Sequence, residues 1–214
     1  MKQLGCFLFM LACLLSVTSY AGSTKELNYK LIASSETKMW QGYYEKDQQK
    51  VLSSLEVYFQ EMFNLKNVKT AQQIANLFAV AYMKFGNTPI ASPQEEYDHS
   101  VFPSLRDAYQ VLKLTIGASW DPELAAKADL DWMIARRHQE TLEPEMIAKK
   151  MTNLFHILYG DNDKNHFTRA AYLRAVAARY RDQCQVFWDG VDQDDWSVVD
   201  ALLEKSYLEL SKGL

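Results

Sequence analysis

Apolar residues recur at three- and four-residue spacing along most of this chain, which is the pattern of amphipathic helices. Two of the clearest stripes run through residues 47–64 and 69–85. Further helices are expected over residues 103–116, 121–137, 143–160, 167–183 and 194–213, and a helix with a frayed start over residues 22–42. No segment alternates apolar and polar residues long enough to predict a strand. The pattern therefore predicts an all-α fold, an irregular bundle of about six to eight helices.

Local signals support several of these helix boundaries. Asp121 offers a capping carboxylate directly before Pro122, a residue suited to the first helical position. Pro144, between two glutamates, predicts the start of another helix in the same way. Gly86 is expected to end a helix, and residues 86–100, with two prolines, are expected to form the longest loop.

Two segments 77 residues apart share the letters Asn-Leu-Phe, at residues 76–78 and 153–155. One interpretation is a weak repeat of two helical hairpins, over about residues 50–86 and 127–163. The alternative is chance, because amphipathic helices reuse the same residue types. In either case residues 22–214 are expected to form a single helical domain.

Residues 1–21 differ from the rest of the chain and are typical of a signal peptide. An apolar run follows Lys2, and Ser19 and Ala21 occupy the −3 and −1 positions of a small-x-Ala cleavage site. Cleavage there would release residues 22–214 into the periplasm or the extracellular space. No transmembrane helix is expected in the mature chain.

Cysteine positions leave two questions open. Residues 10–13, Met-Leu-Ala-Cys, loosely resemble a bacterial lipobox, so lipid anchoring through Cys13 is the alternative to soluble export. Cys184 is the one cysteine beyond the leader and cannot close an internal disulfide. It is expected either to be buried as a small apolar residue or to be an intermolecular bridge or a reactive thiol.

The charge balance argues against a nucleic-acid surface. The chain carries a net charge of −4 at pH 7, whereas nucleic-acid binding proteins usually show a basic excess. The arginines are nevertheless concentrated in two predicted helices, where guanidiniums can pair with carboxylates of the fold or bind an anion. The residues chosen as a partner- or ligand-binding surface are Trp132, Arg136, Arg137 and Arg174.

This surface, without a deep pocket, favours an exported, non-enzymatic interaction or ligand-binding module of the cell envelope. Its partner would be another envelope protein or a small anionic ligand. No cofactor is expected, and no catalytic residue is assigned, because the sequence lacks a Gly-x-Ser-x-Gly elbow and a His-Glu-x-x-His zinc helix.

An envelope enzyme is the alternative from another functional class. Its chemistry would use His138 or His156 as acid or base, paired with Glu140, Asp131 or Asp163. A metal-binding bundle using His and carboxylate residues is the third hypothesis. No metal ligand is assigned, since residues 161–165 begin like a calcium loop but lack its later glycine and glutamate.

Overall fold

The computed structural model describes residues 27–138, 143–160, 163–187 and 190–214. These residues form nine helices and no strand, which confirms the all-α prediction. The first five helices are α1 (Tyr29–Glu45), α2 (Gln48–Met62), α3 (Val68–Asn87), α4 (Gln94–Ser100) and α5 (Phe102–Ile116). The last four are α6 (Pro122–Arg137), α7 (Pro144–Tyr159), α8 (Lys164–Phe187) and α9 (Gln193–Gly213).

The number of helices exceeds the expected six to eight because the predicted loop at residues 86–100 contains α4. Helix α4 has only seven residues, and Tyr97 is its one buried residue. It therefore shows no apolar stripe in the sequence. Gly86 also does not end its helix, because α3 continues to Asn87. A Cβ on Gly86 would lie 3.0 Å from the hydroxyl of Tyr43, so this glycine leaves room for the Tyr43 side chain of α1 to contact α3.

Capping explains most of the helix starts. A carboxylate oxygen of Asp121 accepts from the backbone amide of Glu123 at 2.7 Å, and Pro122 opens α6 as predicted. Helix α9 begins at Gln193, one residue before the predicted range. Its N-cap is Asp192, which forms a reciprocal capping box with Asp195.

Eight of these helices form a closed ring in which each packs mainly against its two neighbours. The order around the ring is α1, α2, α3, α5, α6, α7, α8 and α9, and α9 packs against α1 to close it. The short α4 lies against α5 and α3. Helix α8 is Ala-rich, and its five buried alanines allow α7 and α9 to approach closely: Ala170, Ala171, Ala175, Ala177 and Ala178.

The two Asn-Leu-Phe segments lie on α3 and α7, where Phe78 and Phe155 are both buried. The hairpin repeat itself stays a prediction. Residues 1–21, and Cys13 with them, lie outside the described residues, so the signal peptide and the lipid anchor also stay predictions. Within the described ranges, no helix has the length and apolar character needed to cross a membrane.

Candidate functional site

A cleft of about 910 Å³ enters the ring from one end. Helices α1, α3, α6 and α8 supply most of its wall, each from about the middle of the helix to its carboxyl end. The carboxyl ends of these four helices therefore meet around the opening. Ligand sites in proteins commonly have volumes of roughly 300–1,000 Å³ and lie between elements in this way.

The cleft is rich in positive charge although the whole chain is acidic. Its described lining contains five arginines and two aspartates. The arginines are Arg136, Arg137, Arg174, Arg179 and Arg181, and the aspartates are Asp129 and Asp182. Guanidiniums near helix carboxyl ends also interact favourably with the negative ends of the helix dipoles.

Near the opening, two arginines approach one tyrosine ring. The guanidinium carbon of Arg181 lies 3.2 Å from the ring centroid of Tyr44. Arg136 donates a hydrogen bond to the hydroxyl of the same tyrosine, and its guanidinium carbon lies 4.6 Å from the ring centroid of Trp40. Planar stacking of guanidinium on aromatic rings holds the two cations in place without neutralising them.

Asp182 is the carboxylate closest to this pair. Its Oδ1 accepts from Arg181 at 2.9 Å and lies 3.4 Å from the hydroxyl of Tyr44. Arg136 has no ion pair with any carboxylate in the part of the chain that the structure describes. Tyr44 and Asp182 nevertheless outweigh the effect of burial and raise the pKa of Arg136, so it stays charged.

Arg181 has an unsatisfied donor. Its side chain is only 9% exposed, yet its Nε has no hydrogen-bond partner. Its other two nitrogens donate to Asp182 and, at 3.3 Å, to Gln185. A buried N–H without an acceptor costs about 1–3 kcal/mol, so this group needs a reason to be there.

Arg137 has a different role from its neighbour. Its guanidinium donates to the backbone oxygens of Phe85 and Thr88 at the end of α3, and to the hydroxyl of Tyr97 at 3.2 Å. It also lies over the ring of Phe85, 3.8 Å from the centroid. These bonds satisfy carbonyls that a helix end leaves free, so Arg137 joins α6 to α3.

Deeper in the ring, Arg174 pairs with a glutamate that sequence spacing did not indicate. Its Nε donates to Oε1 of Glu36 at 2.8 Å, and the carboxylate is 1% exposed. Tyr207 donates to the other oxygen of Glu36, and its hydroxyl lies 3.4 Å from that of Tyr58. Burial lowers the pKa of Arg174, but Glu36, Tyr207 and Tyr58 together outweigh burial and hold this pKa well above its ordinary value.

Asp129 is the second buried carboxylate at this depth. It is 4% exposed, accepts from the hydroxyl of Tyr109 at 3.2 Å, and is also faced by the hydroxyl of Tyr82. Burial raises the pKa of this carboxyl to about 6, although Arg174 and Tyr109 act in the opposite direction.

The four residues predicted from the sequence all line this one cleft. They do not form the exposed surface that was expected, since Trp132 is 3% exposed and the side chain of Arg174 is 16% exposed. Trp132 lies under the guanidinium of Arg174, whose carbon is 5.0 Å from the ring centroid. Their role in binding stays a prediction.

Tyr44, Arg181 and Asp129 also line the cleft but were not among the four residues predicted for the site. A signal was present. Asp129 and Arg136 are seven residues apart on α6, and Arg174 and Arg181 are seven apart on α8. Side chains with that spacing share one face of a helix.

The residues proposed for an enzyme are distributed differently. Asp131 pairs with Lys127, Asp163 lies 3.9 Å from His166, and Glu140 lies outside the described residues. His138 is exposed at the end of α6, and His156 lines a separate groove of about 790 Å³ between α7, α8 and α9. The four described residues, Asp131, His138, His156 and Asp163, are absent from the lining of the central cleft.

One histidine that was not chosen does meet a carboxylate. Nδ1 of His166 lies 2.8 Å from Oε2 of Glu209. The other carboxylate oxygen, Oε1, accepts from Lys212 at 2.6 Å. Both partners lower the pKa of Glu209, Lys212 the more strongly. A carboxylate whose pKa is lowered by hydrogen bonds from Lys212 and His166 is suited to structural pairing between α8 and α9, rather than to proton transfer.

Within the described ranges, no three His, Cys, Asp or Glu residues are grouped so as to hold a metal ion. Part of the predicted calcium-like turn, residues 161–162, lies outside those ranges. The expectation that no cofactor is used stays a prediction.

Comparison of the chain with protein-family models, with curated proteins and with solved structures found no match.

Proposed function

We propose that this protein is a non-enzymatic binding protein of the cell envelope that holds one small organic anion in the central cleft. The observation that carries the proposal is the pair Arg136 and Arg181, two largely enclosed guanidiniums at Tyr44 that share a single nearby carboxylate. An anion between them would accept from the free Nε of Arg181 and compensate the charge of Arg136. Export to the periplasm or the extracellular space is part of the proposal and rests on residues 1–21.

The shape of the site favours a small ligand over a protein partner. Most of the relevant side chains lie inside a cleft whose wall is aromatic, and protein interfaces are usually more open surfaces. Trp40 and Trp132 are each 3% exposed within it. The wall therefore suits a ligand with an apolar or aromatic body and one anionic group.

Anilinonaphthalene sulfonate, an aromatic anion, is a suitable first probe. The purified protein is expected to bind one molecule, detected by an increase in probe fluorescence and by calorimetry. Arg136→Gln and Arg181→Gln should each weaken binding about tenfold or more, because a hydrogen bond to a charged group contributes about 1.5–3 kcal/mol. Arg106→Gln is the matched control, since Arg106 is exposed on α5 and pairs with Asp107.

The neutral analogue N-phenylnaphthylamine separates charge recognition from apolar binding. It should bind more weakly than the sulfonate, and its affinity should not depend on Arg136 or Arg181. If both cleft variants stay folded by circular dichroism and bind the sulfonate as tightly as Arg106→Gln does, the proposal is wrong.

A further inference from the structure

The polar residues of the cleft lie at two depths, an inner level and an outer level, two helical turns apart. On α6, Asp129 lies deep and Arg136 lies near the opening, seven residues later. On α8, Arg174 and Arg181 have the same order and spacing. Seven residues of helix rise about 10 Å, so the inner and outer levels are separated by roughly that distance.

The inner level carries an excess of carboxylate. Glu36 is neutralised by Arg174, which directs two of its nitrogens to that glutamate, while its third faces the sulfur of Met151 at 3.4 Å. Asp129 has tyrosine hydroxyls as donors and no ion pair in the described part of the chain. It therefore faces the cleft as a carboxylate without a cation of its own.

The outer level carries an excess of guanidinium. Arg136 and Arg181 share Asp182, and Arg137 adds a further charge at the end of α3. Between the two levels the wall is apolar, formed by rings such as Trp132 and Phe85. The cleft is thus negative at its inner end, apolar in the middle and positive at its opening.

From this arrangement we infer that the ligand is bipolar, with an anionic group bound by Arg136 and Arg181 and an ammonium or similar cationic donor bound by Asp129. The two charged groups are about 10 Å apart and joined by an apolar body. The α-ammonium and α-carboxylate of a free amino acid do not fit this spacing, because both groups are bonded to the same carbon atom. The inference rests on the proposed function and names the ligand class of the same site.

The titration of Asp129 agrees with this assignment. Burial raises its pKa to about 6, so at neutral pH it is ionised but poorly solvated. The titratable and charged groups around it are Glu36, Arg174 and three tyrosines. The pKa values of Arg174 and of the three tyrosines are raised above their ordinary values, so these four groups keep their charge state between about pH 5 and about pH 8. The three tyrosines are Tyr58, Tyr82 and Tyr109. A bound ammonium would supply the positive charge that the fold does not place beside Asp129.

Calorimetry with ω-aminooctanoate, octanoate, octylamine and γ-aminobutyrate tests the inference. The long amino acid should bind at least about tenfold more tightly than octanoate or octylamine, each of which has only one of the two charges. γ-Aminobutyrate has both charges at too short a spacing and should also bind at least about tenfold more weakly. Asp129→Asn should keep the affinity for octanoate and bring the affinity for ω-aminooctanoate to within about twofold of it.

A pH series on the unmodified protein serves if Asp129→Asn does not fold. The preference for ω-aminooctanoate over octanoate should be smaller at about pH 5.5 than at about pH 7.5, since Asp129 gains a proton while the ligand amine keeps its charge. Arg106→Gln should behave as the unmodified protein does in every titration.

The outcomes separate the two proposals. Equal affinity for octanoate and ω-aminooctanoate in the unmodified protein, or a preference that persists in Asp129→Asn, overturns the bipolar ligand and makes Asp129 a structural residue. In that case binding of octanoate or of the aromatic sulfonate still supports the proposed function. If no anionic probe binds, the proposed function and this inference both fail.

Discussion

Arg174 on α8 and Glu36 on α1 form an ion pair inside the ring, 138 residues apart in sequence. Two guanidinium nitrogens donate to the same carboxylate oxygen, and Tyr207 donates to the other. The pair connects α8 and α1, which both contact α9. It thus fixes the position of α1 relative to α8 and α9, where the ring closes.

Removing one partner of this ion pair should destabilise the folded protein. Glu36→Gln is expected to lower the free energy of unfolding by about 3 kcal/mol, because it leaves the Arg174 charge buried without a counter-ion. Urea denaturation followed by circular dichroism measures the change. Glu45→Gln is the control, since Glu45 pairs with Lys50 at the surface and its loss should cost less than about 1 kcal/mol. Equal effects of the two substitutions would contradict a structural role for the pair.

Substitution of Arg181, unlike substitution of Glu36, should not lower stability. Arg181→Met keeps an unbranched apolar stem and removes the guanidinium, whose Nε has no acceptor. Stability is expected to stay within about 1 kcal/mol of the unmodified protein or to rise, because the buried unsatisfied group is removed. Binding of anilinonaphthalene sulfonate should nevertheless weaken about tenfold or more. A large loss of stability in urea denaturation would instead identify Arg181 as a structural residue.

Most of the helices could be predicted from the sequence because their signals are local. A capping carboxylate such as Asp121, a proline at the first position and an apolar stripe all act within a few residues. Helix α4 could not be predicted, because seven residues form no stripe. Gly86 was interpreted as a helix end, whereas the chain uses its missing side chain for contact with Tyr43.

The candidate site was only partly predictable, since it depends on contacts between distant helices. Trp132 and Arg136 were chosen for their residue types and do line one cleft. Their enclosure follows from the closing of the ring, which no local pattern specifies. The arginines were expected to pair with carboxylates of the fold or to bind an anion, but the partner of Arg174 is Glu36 on α1, and sequence spacing carries no information about that pair.

Cys184 is expected to be unreactive while the protein is folded. Its side chain is buried, and its Sγ lies 3.4 Å from a carboxylate oxygen of Asp195. Burial raises the pKa of the thiol, and the hydrogen bond to Asp195 acts in the same direction. Labelling with a thiol reagent should be slow until urea unfolds the chain, and a non-reducing gel should show a monomer. A disulfide-linked dimer formed by folded protein would contradict this.

Asp129 should make stability depend on pH in a direction unusual for an aspartate. Its pKa is about 6 in the folded protein, against an ordinary value of 3.8, so the folded chain binds more protons than the unfolded chain between these values. The free energy of unfolding should therefore fall as pH rises from about 4 to about 6. The Asp129→Asn side chain cannot ionise, so this variant should lose the part of the pH dependence of stability that Asp129 causes. Its advantage in stability over the unmodified protein should grow with pH to as much as about 3 kcal/mol at neutral pH, because two units of pKa correspond to about that energy.

Urea denaturation of both proteins at pH values from about 4 to about 7.5 measures this difference. Asp107→Asn is the control, since Asp107 is exposed and its substitution should give a difference that varies little with pH. A bound cation at Asp129 would reverse the trend by stabilising the ionised form. Saturation with ω-aminooctanoate should therefore stabilise the unmodified protein more at neutral pH than at about pH 5, and should stabilise Asp129→Asn equally at both. An Asp129→Asn protein whose stability relative to the unmodified chain does not change with pH would show that this carboxyl is not poorly solvated in the folded state.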